Sequence, residues 1–430
     1  MPEKAILYFD PSETVRGIRQ LLISDKKKIA FLFGAGTSFS GRIKNLPYVP
    51  AIAEMTGKVE AEIEKDKEYI SALAEIKTEL VATPGGFNIE TLLSNIEDKI
   101  RVIGSGMLNN LNKSGFEKFE KLIKNIIRQE VSIHTGFDEC IIRQLVQYDF
   151  AKWVKAADRK YAVEVFTTNY DYLFEVGLES LDVPYYDGFT GSYEPFFNAT
   201  SLEEPDHLPR QTKLWKIHGS LGLHESKSAN GDKIIRKNSD SDVLLIYPSM
   251  LKYSNSKKMP YAAYMDRLYN FLRQDDAVLF VCGYSFGDEH INERILSALS
   301  ANSTSYVYVF YYDAVKEEAG KMYTLTEDCK LAQLAAANRR ISILGMRNAI
   351  LGSKHGTWKL KREPDKNDTV NVALYFDEDA PYNDVEMNHE QKGDELWTGE
   401  GEFCLPDFSR FVEFLKEMIP HTEREEVDNG

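Results

Sequence analysis

The sequence predicts an α/β fold with a doubly wound parallel sheet, an inserted helical subdomain and a small C-terminal α+β region. Short apolar runs alternate with segments of helical periodicity, which is typical of strands buried between the helices of a parallel sheet. One long segment after the first run has helical spacing throughout. The expected domains are residues 1–49 with 155–335 for the sheet, 50–154 for the helical subdomain, and 336–430 for the C-terminal region.

Composition argues against several classes of protein. The 430 residues are 43% apolar, which is enough for substantial cores. The net charge of −15 makes direct nucleic-acid binding an unlikely function, because phosphate backbones attract basic surfaces. The four cysteines occur singly, so we expect neither a zinc ribbon nor a disulfide framework, and a cytoplasmic location fits. The most apolar stretch, Ala277–Cys282, is too short to cross a bilayer, so no membrane insertion is expected.

The first third of the chain predicts one strand followed by a block of helices. Residues 12–25 have helical spacing, and Lys28–Phe33 form an apolar run that ends at glycine, as a buried parallel strand does. Apolar residues then recur at helical intervals through 50–154, and Pro84–Gly86 and Gly104–Gly106 interrupt the pattern as loops. The sequence therefore predicts a helical block inserted after the first strand and its helix.

The remainder of the chain predicts a return to alternating strands and helices. Strands are expected at 162–167, 213–217, 277–282 and 306–310, and helices at 171–180, 260–274 and 289–300. Polar residues Asn238–Asp242 separate two expected strands of a hairpin between His224 and Tyr247. Further on, 341–345 and 370–376 are predicted as strands, 406–419 as a helix, and the acidic segment 377–402 as a solvated loop or a segment that a partner orders.

Four polar stretches end or closely follow predicted strands: Gly34–Ser38, Thr168–Asp171, Ile217–Ser220 and Gly283–Asp288. The carboxyl ends of parallel strands point at one crevice, so four such loops can converge on a single ligand. Gly34 and Gly36 would let backbone N–H groups approach a pyrophosphate, although any tight strand-to-helix turn also favours glycine. Phe39 occupies the place of the third small residue of the dehydrogenase fingerprint, which disfavours a hydride-transferring enzyme.

Each polar side chain in these loops also has an ordinary structural explanation. Asn169 could be the N-cap of the helix that follows, with Asp171 in its first turn. His218 could satisfy a buried backbone group at a strand end. Ser285 and Asp288 could cap the helix that begins near Glu289. The occurrence of all four stretches together favours a binding site.

In this order the four loops resemble the nucleotide-binding half of sirtuins, which carry a Gly-Ala-Gly-x-Ser loop, a Gln-Asn-x-Asp segment, a His-Gly pair and a later Gly-Thr-Ser-like loop. Here the second loop reads Thr-Thr-Asn-Tyr-Asp and the last Gly-Tyr-Ser-Phe-Gly-Asp. These spellings are similar to those of the bacterial sirtuin-like NAD hydrolases of anti-phage defence systems. The resemblance covers about residues 28–300. The paired cysteines of the deacylase zinc module are missing, which argues against acyl-lysine peptide binding.

The resemblance implies a Rossmann-like, sirtuin-like domain that cleaves the nicotinamide–ribose bond of NAD without a metal. It implies that His218 accepts a proton from a ribose hydroxyl or water, and that Asn169 orients the ribose or the water. The residues that it places against NAD are Gly34, Ala35, Gly36, Thr37, Ser38, Asp171, Gly283, Ser285 and Asp288.

The resemblance also implies a cellular role and partners. An NAD glycohydrolase of this kind would act as an NAD-depleting effector, restrained in a homo-oligomer or by a HerA-like hexameric ATPase until infection. Three other functions stay open: a module that senses NAD or ADP-ribose without cleaving it, an NAD-dependent deacylase, and a nuclease subunit that acts with an ATPase.

Overall fold

The computed structural model describes residues 6–41, 45–83, 86–157, 159–204, 207–227, 232–237, 259–317, 320–378 and 397–420. In chain order its strands are β1 (Tyr8–Phe9), β2 (Lys28–Phe33), β3 (Glu164–Thr167), β4 (Tyr185–Tyr186), β5 (Phe189–Thr190), β6 (Phe196–Phe197), β7 (Thr212–Lys216), β8 (Leu223–Ser226), β9 (Lys233–Arg236), β10 (Ala277–Cys282), β11 (Tyr306–Phe310), β12 (Ala314–Glu317), β13 (Gly320–Tyr323), β14 (Ile341–Leu344), β15 (Asn348–Leu351), β16 (Lys354–Trp358), β17 (Phe376–Asp377) and β18 (Glu402–Phe403).

The described α-helices are α1 (Pro11–Ile23), α2 (Ala35–Phe39), α3 (Ile52–Ile63), α4 (Ile70–Val81), α5 (Ile89–Val102), α6 (Lys113–Val131), α7 (Glu139–Gln144), α8 (Val146–Ala156), α9 (Leu173–Glu179), α10 (Thr200–Glu203), α11 (Tyr261–Leu272), α12 (Glu289–Ala301), α13 (Lys330–Ala337) and α14 (Phe408–Lys416). Short 3₁₀ turns occur at Ile133–Gly136 and Val372–Leu374.

One ten-stranded sheet organises the molecule, in the order β1-β16-β15-β14-β11-β10-β2-β3-β7-β4. The seven strands from β14 to β4 are parallel, and β15 runs antiparallel to both of its neighbours. Within it, the order β7-β3-β2-β10-β11-β14 is that of a Rossmann fold. The predicted α/β class with a parallel sheet is therefore confirmed.

The central strand β2 lies where the direction of the sheet's winding changes. The chain goes from β2 to β3 and β7 on one side, and later to β10, β11 and β14 on the other. Ligands of open α/β sheets bind at such a switch point, in the crevice outside the carboxyl ends of the strands. The loops that follow β2 and β10 border this crevice, and those that follow β3 and β7 lie beside it.

An aromatic core covers one face of the sheet. The Phe31 ring lies 5.2 Å from Phe150, 5.6 Å from Trp153 and 6.1 Å from Phe411, measured between ring centroids. Phe150 and Trp153 belong to α8, and Phe411 belongs to α14. The end of the 50–154 segment and the C-terminal helix therefore pack directly on the central strands.

The opposite face has a second core, in which α11, α12 and α13 supply buried apolar side chains. Residues at 336–358 are continuous with the sheet domain, because β14, β15 and β16 extend the same sheet. Part of the C-terminal region expected at 336–430 thus shares the main sheet.

Helices α3 to α6 share a third hydrophobic cluster, which runs from Met55 to Val131. Their ends carry side-chain caps: Asn88 forms a capping box with Thr91 at the start of α5, and Asn112 caps α6 through the Gly115 N–H. These helices lie between β2 and β3 in the chain, where the helical block was expected. The exact domain boundaries stay a prediction.

One local prediction is wrong, and another lies partly outside the described residues. The segment 370–376 was expected to be a strand, which is wrong for most of its length: Val372–Leu374 form a 3₁₀ turn and only Phe376 enters β17. The reason is local, because the Asn371 side chain accepts a hydrogen bond from the Ala373 N–H and so caps the turn. A hairpin was also expected between His224 and Tyr247, with Asn238–Asp242 between its strands. The structure describes a hairpin of β8 and β9, whereas Asn238–Tyr247 lies outside the described residues.

Replacing Phe31 with alanine should lower the free energy of unfolding by about 3–5 kcal/mol, because the fully buried ring contacts aromatic side chains from two strands and two helices. Chemical denaturation monitored by circular dichroism measures the change. The control is Tyr193→Ala, which removes a fully exposed ring and should change the stability by less than about 0.5 kcal/mol. Equal effects of the two substitutions would contradict the assigned core.

Candidate active site

The glycine loop after β2 lies directly against the loop after β10. The Gly34 N–H donates to the Cys282 carbonyl at 3.0 Å, and the Gly36 N–H donates to the Gly283 carbonyl at 3.0 Å. A Cβ at position 34 would lie 2.5 Å from the Gly283 carbonyl oxygen, which is too close for any side chain. Two N–H groups expected to face a pyrophosphate are therefore engaged within the protein, and these glycines permit close packing of the two loops.

Asn169 fastens this glycine loop from the neighbouring strand β3. Its side-chain nitrogen is within hydrogen-bond distance of the Gly34 carbonyl at 3.1 Å, Thr37 Oγ1 at 3.0 Å and Ser38 Oγ at 2.6 Å. The residue is only 6% exposed. Its amide nitrogen thus holds the loop in place, and the polar groups of this buried region satisfy one another.

Asp171 completes the network on the same loop. One carboxylate oxygen accepts from Ser38 Oγ at 2.6 Å, and the other accepts from the Leu173 N–H at 3.0 Å, at the start of α9. Thr37, Ser38 and Asp171 are all buried. These side chains therefore set the shape of the loop and leave its exposed edge at Ala35 and Gly36 for a ligand.

Two further residues of this region were missed by the sequence reasoning. Gln147 of α8 donates its side-chain N–H to the Thr37 carbonyl at 2.8 Å, and Asn292 of α12 donates to the Phe286 carbonyl at 2.8 Å. Both are buried amides within amphipathic helices. A polar residue on the apolar face of a helix was the only available signal, and it does not identify the partner.

His218 and Asp288 meet across the carboxyl ends of the central strands. His218 Nε2 lies 3.1 Å from Asp288 Oδ2, and both side chains are largely buried, with 12% and 10% exposed. His218 follows β7 and Asp288 follows β10, so their contact passes over β3 and β2, roughly 14 Å of sheet edge at the usual strand spacing. The His218–Asp288 contact therefore spans the strand ends next to the switch point.

Asp288 has a second role that fixes its position. Its other carboxylate oxygen accepts from the His290 N–H at 3.0 Å and the Ile291 N–H at 3.4 Å, and so caps α12. Ser285, three residues earlier, is exposed at the mouth of the crevice. The structure thus places Asn169 and Asp171 with the glycine loop, and His218 with Asp288, on one edge of the sheet.

The family comparison covers the second part of this arrangement. Residues 163–332 match the family model of the SIR2-like domain. The match begins at β3 and ends in α13, so it includes Asn169, His218 and Asp288 but excludes the glycine loop. It supports the sirtuin-like resemblance, and SIR2-like domains are typically NAD-dependent enzymes. No curated protein matches the chain.

The described residues contain no group of three or more His, Cys, Asp or Glu side chains arranged to hold a metal ion. Among the described helices, none has the length and apolar character that crossing a membrane requires.

Gly34→Ala should destabilise the protein by at least about 1 kcal/mol, because the new methyl group would collide with the backbone at Gly283 and Tyr284 and force the two loops apart. Thermal and chemical denaturation measure the loss. Gly17→Ala is the matched control: it lies within α1 with no atom within 4 Å of the added methyl group, and it should be neutral or stabilising. A Gly34→Ala variant as stable as the control would show that the loops do not need this contact.

Proposed function

We propose that this protein is an NAD glycohydrolase that cleaves the nicotinamide–ribose bond to give nicotinamide and ADP-ribose. The observation that carries the proposal is the His218–Asp288 pair, which lies over the switch point of a Rossmann sheet beside a glycine loop. A dinucleotide fits such a crevice, and an imidazole there can act on one of its ribose groups. The SIR2-like match over residues 163–332 supports NAD as the substrate.

The contact with Asp288 also suggests how His218 acts. An ionised carboxylate can only accept hydrogen bonds, so it favours the imidazole tautomer with the proton on Nε2. Nδ1 is then free of its proton and can serve as the base. In the proposed step, water attacks C1′ of the ribose as the C–N bond breaks; nicotinamide leaves with the electron pair of that bond, and the water proton passes to His218 Nδ1.

Asn169 has a supporting place in this proposal. Its amide nitrogen holds Gly34, Thr37 and Ser38, so the loop that borders the crevice keeps one shape before the substrate arrives. A fixed loop lowers the entropy cost of positioning the ribose and pyrophosphate. The exposed edge formed by Ala35, Gly36 and Ser285 is the surface that we assign to NAD.

The cellular role belongs to the same proposal. We infer from the resemblance an NAD-depleting effector in bacterial anti-phage defence, located in the cytoplasm and restrained by self-association or by a HerA-like ATPase. We propose that such a partner contacts the acidic segment 377–402, of which 379–396 lies outside the described residues.

His218→Ala should reduce NAD cleavage by about 10²- to 10⁴-fold, because it removes the positioned base. Mass spectrometry of the products after incubation with NAD, without acylated peptide, is the measurement. His355→Ala, on β16 far from the crevice, is the control and should keep full activity. Turnover that requires an acylated peptide would instead show a deacylase, and tight NAD binding by wild type without any turnover would show a sensor.

Asp288→Asn and Asp288→Ser should lower kcat by at least about tenfold and change KM little. The carboxylate that fixes the His218 tautomer is lost, whereas the loop edge that we assign to NAD is unchanged. Asparagine and serine both cap helices well, so the melting temperature should be nearly unchanged. This combination separates the positioning role from the capping role. Unaltered kcat in both variants, at equal stability, would remove Asp288 from the mechanism.

A further inference from the structure

A cavity lies near the candidate active site, at the edge of the main sheet. Its volume is about 280 Å³, and its walls come from α9, β4, the end of β7, β9 and α11. Tyr172, Tyr185 and Tyr264 line it together with Glu175, Lys216 and Arg236. Gly34, Asn169, His218 and Asp288 are not among its lining residues, so it is a separate space.

Two buried polar atoms of residues that line this cavity have no hydrogen-bond partner among the described residues. They are Glu175 Oε2 and His134 Nδ1, and both residues line the cavity. Glu175 is only 9% exposed, and its other oxygen, Oε1, forms an ion pair with Lys216 Nζ at a distance of 3.0 Å. Buried polar atoms nearly always have a partner, so an oxygen left over at a cavity wall points to a hydrogen-bond donor supplied by a ligand.

The chemistry of Glu175 agrees with a missing donor. Burial raises the pKa of Glu175, and the Lys216 ammonium opposes that shift. A further donor at Oε2 would stabilise the charged carboxylate. At His134, burial lowers the pKa, so the imidazole is neutral at pH 7 and Nδ1 can also hydrogen-bond an uncharged ligand.

The charges of the cavity disfavour an anionic ligand. Both cations are already paired, Lys216 with Glu175 and Arg236 with Asp187. A third carboxylate, Glu179, accepts a hydrogen bond from Tyr185. Three carboxylates against two paired cations disfavour a phosphate or a carboxylate, whereas the half-buried rings of Tyr172 and Tyr185 provide surfaces for a flat molecule.

We propose that this cavity binds an uncharged, planar heterocycle that carries an amino or amide group, with the N–H of that group donated to Glu175 Oε2 and the ring against the tyrosines. The volume, near the lower end of the range of small-molecule sites, suits one ring system better than a whole dinucleotide. An adenine-type base and the nicotinamide ring share this chemistry. The site does not depend on NAD cleavage, since the free base is the ligand.

Isothermal titration calorimetry of the full chain with adenine and with nicotinamide tests the proposal. At least one of them should bind, and which one binds distinguishes a nucleobase from the pyridine carboxamide. The counterpart whose exocyclic amino or amide nitrogen is dimethylated should bind at least about tenfold more weakly, because it lacks the exocyclic N–H that the proposal assigns to Glu175. Inorganic phosphate should not bind at this site.

Two variants assign the binding to the cavity. Val176→Phe places a ring in the space from a lining position of α9, and Glu175→Gln keeps the shape but removes the charged acceptor. Each should weaken binding at least about tenfold. Glu62→Gln, an exposed glutamate of α3 paired with Lys65, is the matched control and should bind as wild type does. If neither base binds, or if neither variant that folds weakens binding, the proposal is overturned.

Discussion

The backbone contact between the loops after β2 and β10 is the constraint on which the rest of the site depends. The two strands lie side by side in full register, from Ala277 with Lys28 to Cys282 with Phe33, and the loops stay in contact beyond the last pair. The Gly36 N–H to Gly283 carbonyl bond continues this contact into the first turn of α2. Only glycine permits it, because a methyl group at Gly34 or Gly36 would lie within 3.0 Å of the opposite backbone.

Buried side-chain amides then hold the contact from both sides. Asn169 reaches the glycine loop from β3, and Gln147 reaches it from α8. On the other loop, Asn292 binds the Phe286 carbonyl, where the backbone has a positive φ of 58°. An amide can bridge several backbone groups without adding a charge, so it can rigidify a loop in a buried region at little electrostatic cost.

Different residues thus fix the loop of the candidate site and supply its titratable pair. Asn169, Ser38 and Asp171 form a closed network whose members mainly bind one another. His218 and Asp288 form a pair at the same edge of the sheet, and Asp288 is itself positioned by the start of α12. The aromatic core beneath, in which α8 and α14 meet Phe31, supports the strands that carry these loops. The C-terminal helix is consequently part of the scaffold of the site.

The hydrophobic periodicity and the amino-acid sequences of the loops predicted the parallel α/β sheet, most of its central strands and the four loops at its carboxyl edge. These features are local, since a short run rich in β-branched and aromatic residues that ends at glycine, such as Ala277–Cys282, favours a buried strand by its own composition. The sequence also selected Asn169 and His218 as polar residues at strand ends. Their catalytic roles stay a prediction.

Only the tertiary structure decided which groups meet. Asp288 faces His218, from which 70 positions separate it, and Gln147 faces Thr37 across 110. The same holds for β15 and β16, which join the main sheet, and for Glu175, which lines a cavity that distant segments enclose. Such contacts arise when remote parts of the chain are brought together by burial of apolar surface, and no local pattern encodes the partner.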